Sequence, residues 1–153
     1  MSIELVEAYT HKDEVKALFN EYTQMLIDGD NSFKDYLELQ NYDHELEDLE
    51  DKYGLPYGRL YLVFYDGVLA GCIGLRKIDS ENCEMKRLYV KPQFRGKKIA
   101  SFLVKHIIED ARIKPLNKII FNNNSLLIDL NKWREKDYSN LFFNSPLWKT
   151  LKV

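Results

Sequence analysis

The sequence predicts an α/β (α+β) fold in which helices flank a mixed, mostly antiparallel sheet of about six to seven strands. Two observations lead to this prediction. Three apolar runs between residues 59 and 90 are joined by short turn sequences, which is the pattern of an antiparallel meander. A basic loop then leads through an amphipathic helix to a fourth apolar run, which indicates a crossover to a parallel strand.

Composition is typical of a globular protein. The chain has 153 residues, 45% of them hydrophobic and 30% charged, and we expect one domain over residues 1–153. The net charge of −2 argues against a polyanionic partner, although residues 28–51 hold ten acids and one base while residues 76–118 hold twelve bases and five acids. Cys72 and Cys83 form no metal-binding or redox spacing, so no metal is expected. With no signal-peptide pattern and no apolar run of membrane-spanning length, we predict a cytoplasmic protein.

The N-terminal third predicts one strand followed by helices. Ile3 to Ala8 alternates as a strand, and Thr10 with Asp13 predicts a capped helix that ends near Gly29. An apolar stripe marks its buried face: Val15, Leu18, Phe19, Tyr22, Met25 and Leu26. Residues 31–53 favour further helices. Their acids are expected on a solvated face, or alternatively on a surface that attracts an amine: Asp43, Glu45, Glu47, Asp48, Glu50 and Asp51.

The meander follows. Arg59 to Tyr65 and Val68 to Leu75 flank Asp66-Gly67, the strongest hairpin pattern in the chain. A turn over residues 79–82 leads to a strand that Pro92 stops. Alternation in that strand predicts Glu84, Lys86, Leu88 and Val90 on one face, with Cys83, Met85, Arg87 and Tyr89 on the other.

The loop after this strand, Gln-Phe-Arg-Gly-Lys-Lys over residues 93–98, favours an anion site. It opens a helix whose apolar face carries Ile99, Phe102, Leu103, Ile107 and Ala111. A helix N-terminus presents unpaired N–H groups and a positive dipole end, and a glycine lets a phosphate approach the backbone. Arg95, Lys97 and Lys98 add full charges. The alternative is a solvated basic turn.

The residues around this loop resemble a known family. From Cys83, the string C-E-M-K-R-L-Y-V-K-P-Q-F-R-G is similar to motif A of the GCN5-related N-acetyltransferases (GNAT), whose loop pattern is Gln/Arg-x-x-Gly-x-Gly/Ala. Gln93 and Gly96 match. Lys98 replaces the small sixth residue, with Ala100 two positions on. We interpret Lys98 as lying in a right-handed helical turn, where its backbone is unstrained.

The resemblance implies a GNAT-type fold with a splayed strand pair at the acetyl-CoA site. It places acceptor-side helices over about residues 10–53, a cofactor-binding core over about 59–121 and a divergent part over 122–153. Acetyl-CoA is the implied co-substrate. The implied pantetheine contacts are Leu88, Tyr89 and Val90, and the implied pyrophosphate contacts are Arg95, Gly96, Lys97, Lys98, Ile99, Ala100 and Ser101, with Asn124 added from the C-terminal part.

Acetyl transfer needs a deprotonated amine, and an alkylammonium titrates near about 10.4. Glu84 is the candidate base because it lies four residues before Leu88, as the general base does in the histone-modifying branch of the family. The alternative is that Glu84 pairs with a neighbouring Lys or Arg. The backbone N–H of Leu88 or Val90 is the candidate oxyanion donor. The family's proposed general acid, a tyrosine, falls on Trp133, and Tyr138 is the nearest tyrosine and the second candidate catalytic residue.

The C-terminal part completes the sheet. Lys118 to Phe121 predicts the strand parallel to the central one. Residues 122–125 predict the cap of a helix that runs to about Lys136, and residues 141–152 predict one or two final strands.

We therefore predict an acetyl-CoA-dependent N-acetyltransferase that acts on a primary amine of a small molecule or peptide by direct attack in a ternary complex. One alternative is a catalytically inactive domain that binds CoA or a partner. Another is a nucleic-acid binder that uses the basic residues between 86 and 98 with Tyr89 and Phe94. We expect neither a nucleic-acid nor a membrane partner, and the sequence leaves monomer and homodimer open.

Overall fold

A computed structural model describes residues 2–39, 41–80, 82–112, 118–121 and 126–129. These residues form a six-stranded sheet in the spatial order β1 (Ile3–Glu7), β2 (Arg59–Tyr65), β3 (Val68–Lys77), β4 (Asn82–Val90), β5 (Lys118–Phe121) and β6 (Leu126–Asp129). β4 and β5 pair in parallel, and the other neighbouring strands pair antiparallel. The predicted mixed, mostly antiparallel sheet is confirmed.

Helices cover both faces of this sheet. The helices are α1 (Lys12–Gly29), α2 (Phe33–Leu39), α3 (Tyr42–Glu47), α4 (Leu49–Tyr53) and α5 (Ile99–Arg112). On one face α5 buries Leu103 and Ile107 against β4. On the other face α1 and α4 bury Phe19 and Leu49 against β2 and β3. Within the described part of the chain, no helix combines the length and apolarity needed to cross a bilayer.

The predicted hairpin turn and the predicted end of α1 agree with the structure, whereas the predicted start of α1 does not. Asp66 and Gly67 have φ angles of 48° and 80°, as a tight hairpin with two left-handed residues requires. Helix α1 ends at Gly29 as predicted, but the Thr10 cap was wrong. The N-cap is His11, and it makes no side-chain capping hydrogen bond, because the chain turns once more before the helix begins.

The predicted helix after residue 125 was wrong over Leu126–Asp129, which forms β6. This segment pairs antiparallel with β5 from Phe121↔Leu126 to Lys118↔Asp129. Two leucines and an isoleucine suit a strand, and pairing satisfies the backbone groups on the outer edge of β5. The predictions for Asn124, Trp133, Tyr138 and residues 141–152 lie outside the described residues.

A bulge in β4 changes which side chains share a face. Cys72 is opposite Tyr89, but Gly74 is opposite Lys86, so Ile73 faces both Arg87 and Leu88. Arg87 has a φ of 58°. The predicted alternation is therefore wrong beyond Lys86. Leu88 and Val90 join Cys83 and Met85 in the core beneath α5, and Tyr89 lies in the core on the opposite face.

Candidate functional site

Among the described residues, the second half of β4 has a neighbouring strand on one edge only. The ladder to β5 ends at Met85↔Phe121, whereas the ladder to β3 continues to Gly71↔Val90. Successive peptide groups of a strand point to opposite edges, and the Lys91 N–H already donates to Ala70 O of β3 at 2.8 Å. The Val90 N–H therefore faces the opposite edge. We call the edge of residues 86–90 that faces away from β3 the open edge of β4, a term that refers to the described chain.

The loop that follows turns back over this edge. Residues Pro92–Phe94 form one 3₁₀ turn, and Gly96 has a φ of 81° with no atom within 4 Å of the position a Cβ would occupy. Helix α5 then starts, and Phe102 N–H donates to Lys98 O at 3.1 Å. The free N–H groups of the first turn of α5 thus follow directly on a glycine with an open approach, a combination that suits an anion.

The interpretation of Lys98 as an unstrained residue in a right-handed turn is wrong. Its φ is 63°, in the left-handed region, and not in a right-handed turn. The chain must reverse at this position to enter α5, and the family pattern places a small residue there. Lys98 adopts the conformation that glycine would adopt more readily, and its side chain is exposed.

The side chain of Arg95 extends from the loop and contacts the end of β4. Its Nε donates to Val90 O at 3.0 Å, its guanidinium lies 5.8 Å from the Tyr89 ring, and Nη2 lies 3.7 Å from Met25 Sδ. Lys97 Nζ stands 5.4 Å from the centre of the Tyr65 ring. Of the three loop charges, Arg95 therefore fixes the end of β4 and helps to fold the loop over it.

Glu84, the candidate base, has two basic neighbours. One of its oxygens accepts from Arg76 Nε at 2.9 Å and lies 3.8 Å from Lys86 Nζ, with 15% of the side chain exposed. These contacts are the ones expected if Glu84 pairs with neighbouring basic residues, the alternative to its role as a base. Because Cys83 and Met85 face α5, alternation directs Glu84 to the side of the sheet that carries α1 and α4.

Lys86 lies beside Glu84, largely withdrawn from water. Its side chain is 12% exposed, and burial lowers the pKa of the ammonium to about 8, helped by the nearby positive charges of Arg87 and Lys52. A half-buried lysine close to two further cations makes this part of the sheet electropositive, although the charges of Glu84 and Glu45 oppose the effect. It is therefore a poor place for a second ammonium unless Glu84 and other acids balance it.

A buried ion pair connects α3 to the bulge, and the sequence reading missed it. Arg87 Nε and Nη2 donate to the two oxygens of Glu45 at 2.7 and 3.0 Å, and the two side chains are 4% and 1% exposed. Tyr53 and Lys52 also donate to Glu45. Burial alone would raise the pKa of Glu45, but the hydrogen bonds and charges of Arg87 and Lys52 outweigh it and lower the pKa to about 2.

Glu45 is therefore a correction to the predicted solvated acidic face, since it is 2% exposed. The available signal was Arg87 itself, because alternation placed it on the face of Cys83, Met85 and Tyr89, and a buried arginine needs a carboxylate partner. Cys72 and Cys83 are both free and buried. Burial raises the pKa of the Cys72 thiol to about 12, so this thiol is unsuited to nucleophilic attack.

The remaining predicted site residues are distributed along the same path. Ile99 and Ala100 are buried at the start of α5, and Ser101 is half-buried. Leu88 belongs to the bulge and Tyr89 follows it, and the two side chains face opposite sides of the sheet. Within the described residues, no group of three or more His, Cys, Asp or Glu side chains is placed to hold a metal. The structure thus brings the β4 and loop residues together.

Comparison with known proteins identifies the family. The sequence model of the acetyltransferase (GNAT) family matches residues 16–130. The chain belongs to this family. An uncharacterized N-acetyltransferase of Dictyostelium discoideum is 32% identical over 174 residues, an alignment that covers 73% of this chain and 77% of the relative.

Solved structures support the GNAT fold. An acetyltransferase of the GNAT family from Staphylococcus aureus Mu50 superposes with a TM-score of 0.60 at 22% identity, over 91% of this chain and 81% of its own. The PaiA N-acetyltransferase of Thermoplasma acidophilum, solved in complex with coenzyme A, gives a TM-score of 0.59 at 20% identity, over 82% of this chain and 83% of its own. At these identities the likeness concerns the fold alone.

Proposed function

We propose that this GNAT protein transfers the acetyl group of acetyl-CoA to a primary amine of a small molecule or peptide. The observation that carries the proposal is the open edge of β4 beside the Gly96 loop and the N-terminus of α5. An extended amide-containing arm fits the first feature, and a diphosphate fits the second. The coenzyme A bound by the Thermoplasma acidophilum relative supports the same ligand class.

The cofactor contacts follow from this placement. Leu88, Tyr89 and Val90 offer backbone groups to the pantetheine arm, and the amides from Gly96 to Ser101 surround the pyrophosphate. Lys98 adds an exposed charge worth roughly 1 kcal/mol or less. Arg95 acts mainly by fixing the end of β4 through Val90 O. Asn124 stays a predicted contact from outside the described residues.

The transfer is a direct attack in a ternary complex. The amine nitrogen attacks the thioester carbon, the Val90 or Leu88 N–H stabilises the oxyanion, and the C–S bond breaks to release CoA as a thiolate. Glu84 accepts the amine proton, either directly or through a water molecule. The Arg76 and Lys86 contacts hold the Glu84 carboxylate in place through one of its two oxygens, Oε1. Tyr138 stays the predicted donor to the thiolate.

A nucleic-acid-binding function receives less support. Three of the basic residues that would form its surface are engaged within the protein: Lys86, Arg87 and Arg95. A sequence-independent nucleic-acid binder needs such charges at its surface, where phosphates can reach them. Steeply salt-dependent binding of single-stranded DNA would support this alternative.

Thiol release from acetyl-CoA tests the proposal across a panel of polyamines, amino acids, aminoglycosides and peptides. We expect release that depends on one class of amine, together with a melting temperature that rises with CoA concentration. Binding of CoA without release from any amine would favour the inactive CoA-binding domain. No binding at millimolar CoA would contradict the proposal.

A further inference from the structure

Arg87 combines burial with a strained backbone. Its φ of 58° lies in the left-handed region, which costs an L-residue roughly 1–2 kcal/mol. The other described non-glycine residues with positive φ are exposed, and these are Asn41, Asp66 and Lys98. A turn explains the position of an exposed left-handed residue, but a left-handed arginine in the middle of a buried strand must be held there by its surroundings.

The contacts of the Arg87 side chain can maintain this backbone conformation. Its bidentate contact with Glu45 uses both carboxylate oxygens, and the rings of Phe19, Tyr22 and Tyr42 lie 5.9, 5.8 and 5.4 Å from the guanidinium carbon. Its backbone carbonyl also accepts from Cys72 Sγ at 3.2 Å. A planar guanidinium held by two hydrogen bonds to one carboxylate has little freedom to rotate. The Arg87 side chain therefore restrains the backbone to which it is attached.

The bulge decides which groups reach the open edge of β4. Without the extra residue, regular alternation would turn Leu88 and Val90 toward α1 and α4, and the Val90 N–H would point to β3. With the bulge, both side chains pack under α5 and the Val90 N–H faces the open edge. The conformation of Arg87 therefore sets the phase of the segment proposed to bind pantetheine.

We propose that the Glu45–Arg87 ion pair is a positioning device for the acyl-CoA site. It holds the left-handed conformation of Arg87 and thereby the orientation of the Leu88–Val90 backbone. Since Glu45 lies on α3, the same pair ties the N-terminal helices to the open edge of β4. The proposal rests on the proposed function, because it concerns the segment assigned to pantetheine.

A glycine–alanine comparison separates backbone positioning from general stability. We would replace Arg87 by Gly and by Ala, each in a Glu45→Gln background so that neither variant leaves the buried Glu45 carboxylate without its arginine partner. Both variants lack the ion pair, but Gly adopts a φ of 58° without the penalty that Ala carries. Because binding must then restore the bulge, CoA should bind the Ala variant about 5- to 30-fold more weakly than the Gly variant by calorimetry.

The matched control is the same pair of substitutions at Lys105, an exposed residue within α5. There Gly should be less stable than Ala, and the two should bind CoA equally. Equal CoA affinities for the two Arg87 variants would overturn the positioning role while leaving the proposed function intact. A wild-type protein that binds no CoA would overturn both.

If neither double variant folds, Glu45→Gln alone provides the test. Its side chain keeps the size of Glu45 but loses the charge that grips Arg87. We expect weaker binding of CoA, with a raised KM for acetyl-CoA, and restoration toward wild-type values in Glu45→Asp. A lower melting temperature with CoA affinity unchanged would assign the pair to stability alone and overturn the proposal.

Discussion

Replacing Lys98, the residue before the first residue of α5, by glycine should stabilise the protein. The φ of 63° costs lysine roughly 1–2 kcal/mol, whereas glycine adopts it freely. The greater conformational entropy of the unfolded glycine variant lowers its free energy of unfolding by about 0.4–1 kcal/mol, which offsets part of this gain. The net gain is about 0.5–1 kcal/mol, which in a chain of this size raises the melting temperature by about 1–4 °C.

Alanine at the same position is the matched control. Lys98→Ala removes the same charge and the same long side chain but keeps the Cβ, so the Gly–Ala difference reports on the backbone alone. The φ of the neighbouring Lys97 is not positive, so there the alanine variant should be more stable than the glycine variant, whose unfolded chain has more conformational freedom. Differential scanning calorimetry of the four variants would measure both differences. A Lys98→Ala protein as stable as Lys98→Gly would refute the left-handed assignment.

Three further predictions concern the site. Glu84→Gln should lower turnover by a factor on the order of 10²–10⁴ while leaving CoA affinity unchanged, and wild-type turnover with the preferred amine would contradict the base role. The pKa of Glu45 is depressed to about 2 from 4.5, so its ion pair stabilises the fold above pH 4.5 and this contribution fades as the pH falls toward 2. The melting temperatures of wild type and Glu45→Gln should therefore differ most near neutral pH and converge in acid; a constant difference would argue against the depressed pKa. Gly71→Ala should weaken CoA binding and lower stability, because its Cβ would lie 2.4 Å from Tyr89 O, whereas Gly29→Ala, with open space around it, should do neither. Equal CoA affinities for these two variants would contradict the close approach of β3 to β4.

The features that the sequence predicted correctly are those decided by neighbouring residues. Asp66-Gly67 determines its hairpin because few other residue pairs adopt two positive φ angles. Pro92 ends β4 because proline lacks the N–H that the strand would need. The apolar spacing from Ile99 to Ala111 places α5 on the sheet with no knowledge of the sheet itself.

The features that it missed depend on partners far along the chain. Glu45 looks like one of several surface acids until Arg87, 42 residues away, is placed beside it. The bulge at Arg87 is invisible to a rule of strict alternation, so the face assignment of Leu88 was wrong although the strand itself was right. Leu126–Asp129 is a strand because the edge of β5 is available to pair with it. Each of these outcomes is set by a tertiary contact that local propensity does not contain.

Two left-handed L-residues are associated with the segments assigned to the cofactor: Arg87 directly precedes the first, and Lys98 lies within the second. They differ in how they can be replaced. Arg87 cannot become glycine without losing the pair that joins β4 to α3. Lys98 is exposed and can become glycine, but then a positive charge beside the proposed phosphate site is lost. That charge contributes roughly 1 kcal/mol or less, which is similar to the net gain in stability of about 0.5–1 kcal/mol that glycine offers. Lysine at this position thus lowers the stability of the fold slightly and raises the affinity for CoA slightly. Lys98→Gly should accordingly melt higher than wild type yet bind CoA more weakly, while Lys98→Ala should lose the same affinity with no gain in stability.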